Sequence, residues 1–162
     1  ATILAEVLGF ACNNNGGDLI LPNVEGIERT IRLGLENAGL SADQIDLVSA
    51  HATATKMGDV IEAQAMGKTY GQGPWVTGLK SYMGHTMGSC GAIETILALY
   101  MMQEGFVAPT LNLTEVDERC AMVRHAREVI QMPVQTAAIQ NFAFGGANTC
   151  LILRKAEAWR KR

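Results

Sequence analysis

The chain lacks any apolar run approaching the ~18 residues that a membrane-spanning helix needs. Its N-terminus also lacks the charged stretch, apolar core and small-residue cleavage site of a signal peptide. These absences predict a soluble, cytoplasmic protein with no membrane partner. Excess charge is missing too: 13 Lys and Arg against 16 Asp and Glu leave a net charge of −3. Arg160-Lys161-Arg162 is the only basic cluster, so no nucleic-acid partner is expected. The four cysteines (Cys12, Cys90, Cys120, Cys150) show neither Cys-x-x-Cys pairing nor metal-ligand spacing with histidine, which argues against a zinc site and a disulfide framework. No metal is expected.

Apolar material is abundant. Hydrophobic residues make up 48% of the chain and charged ones only 18%. A chain of 162 residues can bury a substantial core, and this much apolar surface implies that part of the exterior is covered by something else. The first residue is Ala1, and Thr2–Phe10 reads directly as a strand, so the chain is expected to be a piece of a longer one. Residues 1–155 form the expected domain, and 156–162 a charged tail.

Asn23 is a plausible cap for a helix carrying Val24, Ile27, Ile31, Leu35 and Ala38 on one face, stopped by Gly39. Ile45–Ala50 reads as a short strand buried on both faces. Asp59–Thr69 reads as a helix ended by Gly71-Gln72-Gly73-Pro74, and Trp75–Gly78 as a strand. A helix from about Met87 to Glu104 has no continuous polar face and should bury most of its circumference. Its single interior carboxylate, Glu94, therefore needs a partner. Residues 116–127 carry no clear periodicity. Two strands, Gln135–Phe142 and Asn148–Leu153, flank a turn with Gly145 and Gly146 that suits positive φ. The order βαβαβαββ predicts an α/β fold, a mixed five-stranded sheet with helices covering its faces.

In such sheets ligands gather beyond the carboxyl ends of strands. Three candidate stretches could reach one such end: His51 in His-Ala-Thr-Ala-Thr, the segment Lys80 to His85, and the turn Phe142 to Gly146. Taken alone, His51 reads equally well as a structural histidine. Two histidines at separate strand-to-helix junctions, one beside hydroxyls and one beside a lysine, look like donors converging on a carbonyl or anionic oxygen. Lys80 and Glu94 could form a buried pair that orients the site. A metal reading lacks a third ligand, because His125 lies in an Arg-rich segment expected at the surface.

His51-Ala-Thr-Ala-Thr55 with Gly58-Asp59, then Lys80-Ser-Tyr-Met-Gly-His85, then Phe142-Ala-Phe-Gly-Gly-Ala-Asn148 resembles, in order and spacing, the motif set of the condensing enzymes of the thiolase fold. The resemblance is to the elongating β-ketoacyl-(acyl carrier protein) synthases, and it runs along essentially the whole chain. It implies a thiolase-like half-domain performing decarboxylative Claisen condensation of malonyl-acyl carrier protein with a cysteine-bound acyl group, in fatty acid or polyketide synthesis. His51 and His85 would both donate to the malonyl thioester carbonyl. Lys80, Glu94 and Asp59 would support them. Thr53 and Thr55 would bind the phosphopantetheine arm, which enters with the carrier protein, so no cofactor is expected. Phe142, Phe144, Gly145 and Gly146 would form a gating loop, with the Phe144 N–H facing the oxyanion on the acyl-cysteine.

Ala52, Ala143 and Ala147 depart from the family's Gly, Gly and Thr. The family's nucleophilic cysteine has no match here, and Cys90, where the family has a small packing residue, is disfavoured as a substitute. The expectation is therefore a C-terminal ketosynthase half that is inactive alone, with an N-terminal half, carrier protein and a homodimeric or heterodimeric mate as partners. Two alternatives remain: a non-catalytic partner resembling a chain-length factor, and a thiolase using acetyl-CoA.

Overall fold

A computed structural model describes residues 1–156. The tail residues 157–162 lie outside the described residues. In chain order the elements are β1 (Ala5–Asn14), α1 (Val24–Ala38), β2 (Leu47–Ser49), α2 (Gly58–Thr69), β3 (Trp75–Thr77), α3 (Lys80–Met83), α4 (Cys90–Glu104), β4 (Phe106–Val107), β5 (Arg124–His125), β6 (Ile130–Gln131), β7 (Thr136–Phe142) and β8 (Ala147–Lys155). The main sheet has the order β1-β8-β7-β2-β3-β5, and β4 pairs with β6 apart from it. Strands β7, β2, β3 and β5 run parallel; on one side β8 is added antiparallel to β7, and β1 antiparallel to β8.

The sheet thus has six strands where the pattern predicts five. The extra one, β5, comes from the stretch without periodicity; only two residues long, it pairs Arg124 and His125 with Trp75 and Val76. His125 is therefore not a surface histidine. It is half-buried, with Nε2 2.8 Å from the Cys120 carbonyl. The first strand also differs, starting at Ala5 and continuing through Asn14. The Asn-rich stretch stays in the sheet because its polar side chains find partners: Asn13 donates to the Gly26 carbonyl and accepts from Asn148, its cross-strand neighbour.

Alternation in the short parallel strands builds two cores. Val48, Val76 and Ala138 pack with Ile27 and Ile31 of α1 and with Ala65 and Met66 of α2. Leu47, Ala137 and Ile139 face the other way, against Ala98, Met101 and Met102 of α4. Helix α1 has the expected ends: the Asn23 side chain accepts from the Gly26 N–H, and Gly39 closes it at φ +66°. Helix α4 does not bury most of its circumference. Glu94 and Ala98 are fully buried, but Ile96 and Tyr100 on the opposite face are 64% and 59% exposed. The sheet supplies only one wall for a helix that is apolar all round.

Candidate active site

Because β2, β3 and β7 are parallel and adjacent, their carboxyl ends open on one edge of the sheet, and the segments that follow them meet there. β2 delivers His51, β3 delivers α3 and His85, and β7 ends in Phe142. The rings of His51 and His85 lie 5.5 Å apart, edge to face, and His51 is 5.8 Å from Phe142. Both histidines line a cavity of about 730 Å³ together with Thr53, Thr55, Asn141 and Phe144. Ile20, Leu21, Met57 and Met87 form its apolar lip. A more open cleft of about 680 Å³ between α1 and α2, lined by Glu25, Lys68 and Met122, contains none of these residues. Among the described residues no group of three or more His, Cys, Asp or Glu could hold a metal ion.

Lys80 begins the one-turn helix α3, and its Nζ lies 2.5 Å from Glu94 Oε1 with both side chains buried. Glu94 Oε2 accepts from Asn141 Nδ2 at 2.9 Å, and Asn141 Oδ1 faces His51 Nδ1 at 3.3 Å. A buried polar line therefore runs from the ammonium to the imidazole. His85, exposed on its loop, accepts at Nδ1 from the Met87 N–H at 3.1 Å, and Cys90 Sγ stands 3.3 Å from the same nitrogen. Cys90 is buried behind His85 and does not line the cavity.

The backbone after His51 turns through left-handed residues, Ala52 at φ +37° and Ala54 at +60°. Two carboxylates on α2 hold it there. Glu62 accepts the N–H groups of His51 and Ala52 at 2.7 and 2.8 Å, and Asp59 accepts that of Ala54 at 3.1 Å. Thr53 and Thr55 are brought together, their hydroxyls 3.2 Å apart at the cavity wall. A non-glycine residue in the left-handed region costs about 1–2 kcal/mol, partly offset by glycine's extra freedom in the unfolded chain, about 0.4–1 kcal/mol. Ala52→Gly is therefore expected to raise stability by about 0.5–1 kcal/mol, read as a higher urea midpoint. A lower midpoint would show that the turn is not strained.

The Phe142 to Gly146 turn is a hairpin connection, as the glycines predict, with Gly145 at φ +73° and Gly146 at +78°. Phe144 projects from it, 64% exposed, at the cavity mouth. The turn is tied to the end of β1 and the segment after it: the Gly145 N–H donates to Leu19 O, Asn14 Nδ2 to Gly145 O, and the Asn15 N–H to Gly146 O. A Cβ on Gly146 would meet the Gly16 backbone nitrogen at 2.6 Å.

Burial sets the protonation states. Burial, followed by the charge of Lys80, pushes His51 down to about 4, so the ring is neutral at pH 7. Burial, reinforced by the Asp59 charge, pushes Glu62 up to about 7 against its two N–H bonds. Burial also raises Asp59. The linkage signs of His51 and Glu62 are opposite. Folded Glu62 keeps a proton that the unfolded chain releases above its ordinary 4.5, so its contribution falls as pH rises toward 7. Folded His51 refuses a proton that the unfolded chain takes below 6.5, so stability falls as pH drops toward 4. Glu62→Gln should therefore lose stability more steeply than the parent between pH 6.5 and 4.5, with a difference of about 1.4 kcal/mol per pH unit. Parallel curves from urea titrations would contradict this.

Residues 4–114 match the family described as "Beta-ketoacyl synthase, C-terminal domain". The chain belongs to the β-ketoacyl synthase family. It is 33% identical over 156 residues to 3-oxoacyl-[acyl-carrier-protein] synthase 1 of Escherichia coli (strain K12), covering 96% of this chain and 38% of that protein. Among solved structures, a β-ketoacyl synthase from Burkholderia phymatum STM815 superposes with a TM-score of 0.91 at 44% identity, over 94% of this chain and 38% of that one. The ishigamide ketosynthase/chain length factor gives 0.90 at 34% identity, again over 94% and 38%. The chain thus has the thiolase-like α/β fold of ketosynthases, corresponds to their C-terminal half, and spans well under half the length of these relatives.

Motif reading does not find Glu62 or Asn141. Glu62 carries one available signal, its position three residues after Asp59 on the same helix face. Asn141 carries none beyond preceding Phe142, since only the tertiary contact with α4 gives it Glu94.

Proposed function

We propose that this chain is the C-terminal part of a decarboxylating β-ketoacyl synthase, with the nucleophilic cysteine supplied from outside it. The observation that supports this reading is the convergence of His51 and His85, from two strand ends, on a cavity whose wall carries Thr53 and Thr55. The hydroxyls suit the amide-rich pantetheine arm of a carrier protein. The malonyl thioester carbonyl then lies against the imidazoles, and His85 donates Nε2–H to its oxygen. The bond to the carboxylate breaks, CO₂ leaves, and its electron pair becomes the enolate, whose charge that donor stabilises. The enolate carbon bonds to the acyl carbonyl carbon, and the cysteine thiolate departs. Phe144, exposed at the cavity mouth, would gate the acyl pocket and offer its N–H to the acyl oxyanion.

The exposed Ile96 and Tyr100 face of α4 suits the half that brings the cysteine. The intact line from Lys80 through Glu94 and Asn141 to His51 speaks against a non-catalytic partner subunit, which has no use for an oriented imidazole. The test is to give the intact protein acyl- and malonyl-carrier protein and follow the products by mass. A β-ketoacyl thioester with matching CO₂ is expected. Condensation from acetyl-CoA without CO₂ would replace this reading with a thiolase.

A further inference from the structure

We propose that Asn141 is a positioning residue: it fixes His51 with its proton on Nδ1 and its Nε2 bare toward the cavity. The argument follows the hydrogen-bond chain from its charged end. Glu94, paired with Lys80, has only acceptors to offer Asn141, so it takes the amide Nδ2–H at 2.9 Å. That fixes the amide orientation and turns Oδ1 toward His51. An amide oxygen also only accepts, so the His51 Nδ1 at 3.3 Å must be the donor. A neutral imidazole carries one N–H, and His51 Nε2 is then bare.

His85 is held the other way. The Met87 N–H can only donate, so the His85 Nδ1 it points at is unprotonated and the proton sits on Nε2. The Cys90 thiol, which accepts from Thr86 Oγ1 at 3.3 Å, has its own S–H free to join Met87 at the same nitrogen. The motif resemblance implies two donors; the hydrogen bonds give one donor and one acceptor. His85 alone of the pair stabilises an oxyanion, and His51 accepts a hydrogen bond from a thiol, hydroxyl or water in the cavity.

The catalytic consequence rests on the ketosynthase reading, but the tautomers do not, and the experiment separates them. Long-range ¹H–¹⁵N spectra of the intact protein labelled at histidine report which ring nitrogen carries the proton, with peaks assigned by their loss in His51→Ala and His85→Ala. The expected spectrum has His51 protonated on Nδ1 and His85 on Nε2. Asn141→Leu, branched at the same carbon and without polar atoms, should move His51 toward the Nε2–H form, leave His85 unchanged, and lower kcat about tenfold with KM unaltered. Asn141→Ser, too short to reach both partners, should do the same. His51 protonated on Nε2 in the parent overturns the proposal whether or not the variants fold, as does an unchanged His51 in a folded variant. If the tautomers are as stated but His85→Ala decarboxylates malonyl-carrier protein at the full rate, the ketosynthase reading fails and the positioning role of Asn141 stands.

Discussion

His85→Ala in the intact protein is expected to slow decarboxylation of malonyl-carrier protein by ~10²- to 10³-fold, the usual loss when one well-aimed donor to a developing oxyanion is removed. The effect should appear in kcat, because the charge on the thioester oxygen appears only as CO₂ leaves. Stability should barely change. His85 is exposed; its hydrogen bonds within the chain are to the Met87 N–H and the Cys90 thiol at one ring nitrogen, and its ring meets that of His51 edge to face. Unfolding midpoints alongside CO₂ release separate the two effects. Full-rate decarboxylation by a folded His85→Ala protein would remove this histidine from the chemistry.

Lys80→Met should cost about 3–5 kcal/mol of stability, because it leaves the Glu94 carboxylate without its cation at a site with no exposed surface. Methionine keeps most of the lysine stem, so the loss reports the charge and not a cavity. Adding Glu94→Gln should recover most of it: a neutral amide removes the uncompensated charge, and its oxygen can still accept from Asn141. Activity should not recover with stability, since the ammonium that anchors the line to His51 is gone. Urea titration of the single and double variants measures the first effect and CO₂ release the second. A single variant as stable as the parent would mean that the pair is not buried as described.

How far the sequence could be read follows from the range of the forces involved. Helix α1 was legible because its signals are local: an Asn cap, a stripe at helical spacing and a glycine stop, all realised. The gathering of His51, His85 and Phe142 was legible from one rule about parallel strands, needing only element order. Strand β5 was not, because two residues hold too little periodicity to show and its pairing with β3 is tertiary. Asn13 and Asn14 lie beyond the expected strand Thr2–Phe10, yet remain in β1 because Asn148 and the Gly145 and Gly26 carbonyls satisfy their amides. Asn141 and Glu62 were hidden for a related reason: each acts through a partner on another segment. The all-round apolarity of α4 was visible, but a sequence does not say which of its walls lies within the same chain.

The most direct measurement is a crystal structure of the intact protein with a malonyl-pantetheine amide, whose C–N linkage resists acyl transfer. The arm should run past Thr53 and Thr55, and the amide carbonyl oxygen should lie within about 3 Å of His85 Nε2, with His51 beside it. An analogue seated in the cleft between α1 and α2, or one whose carbonyl points away from His85, would contradict the account.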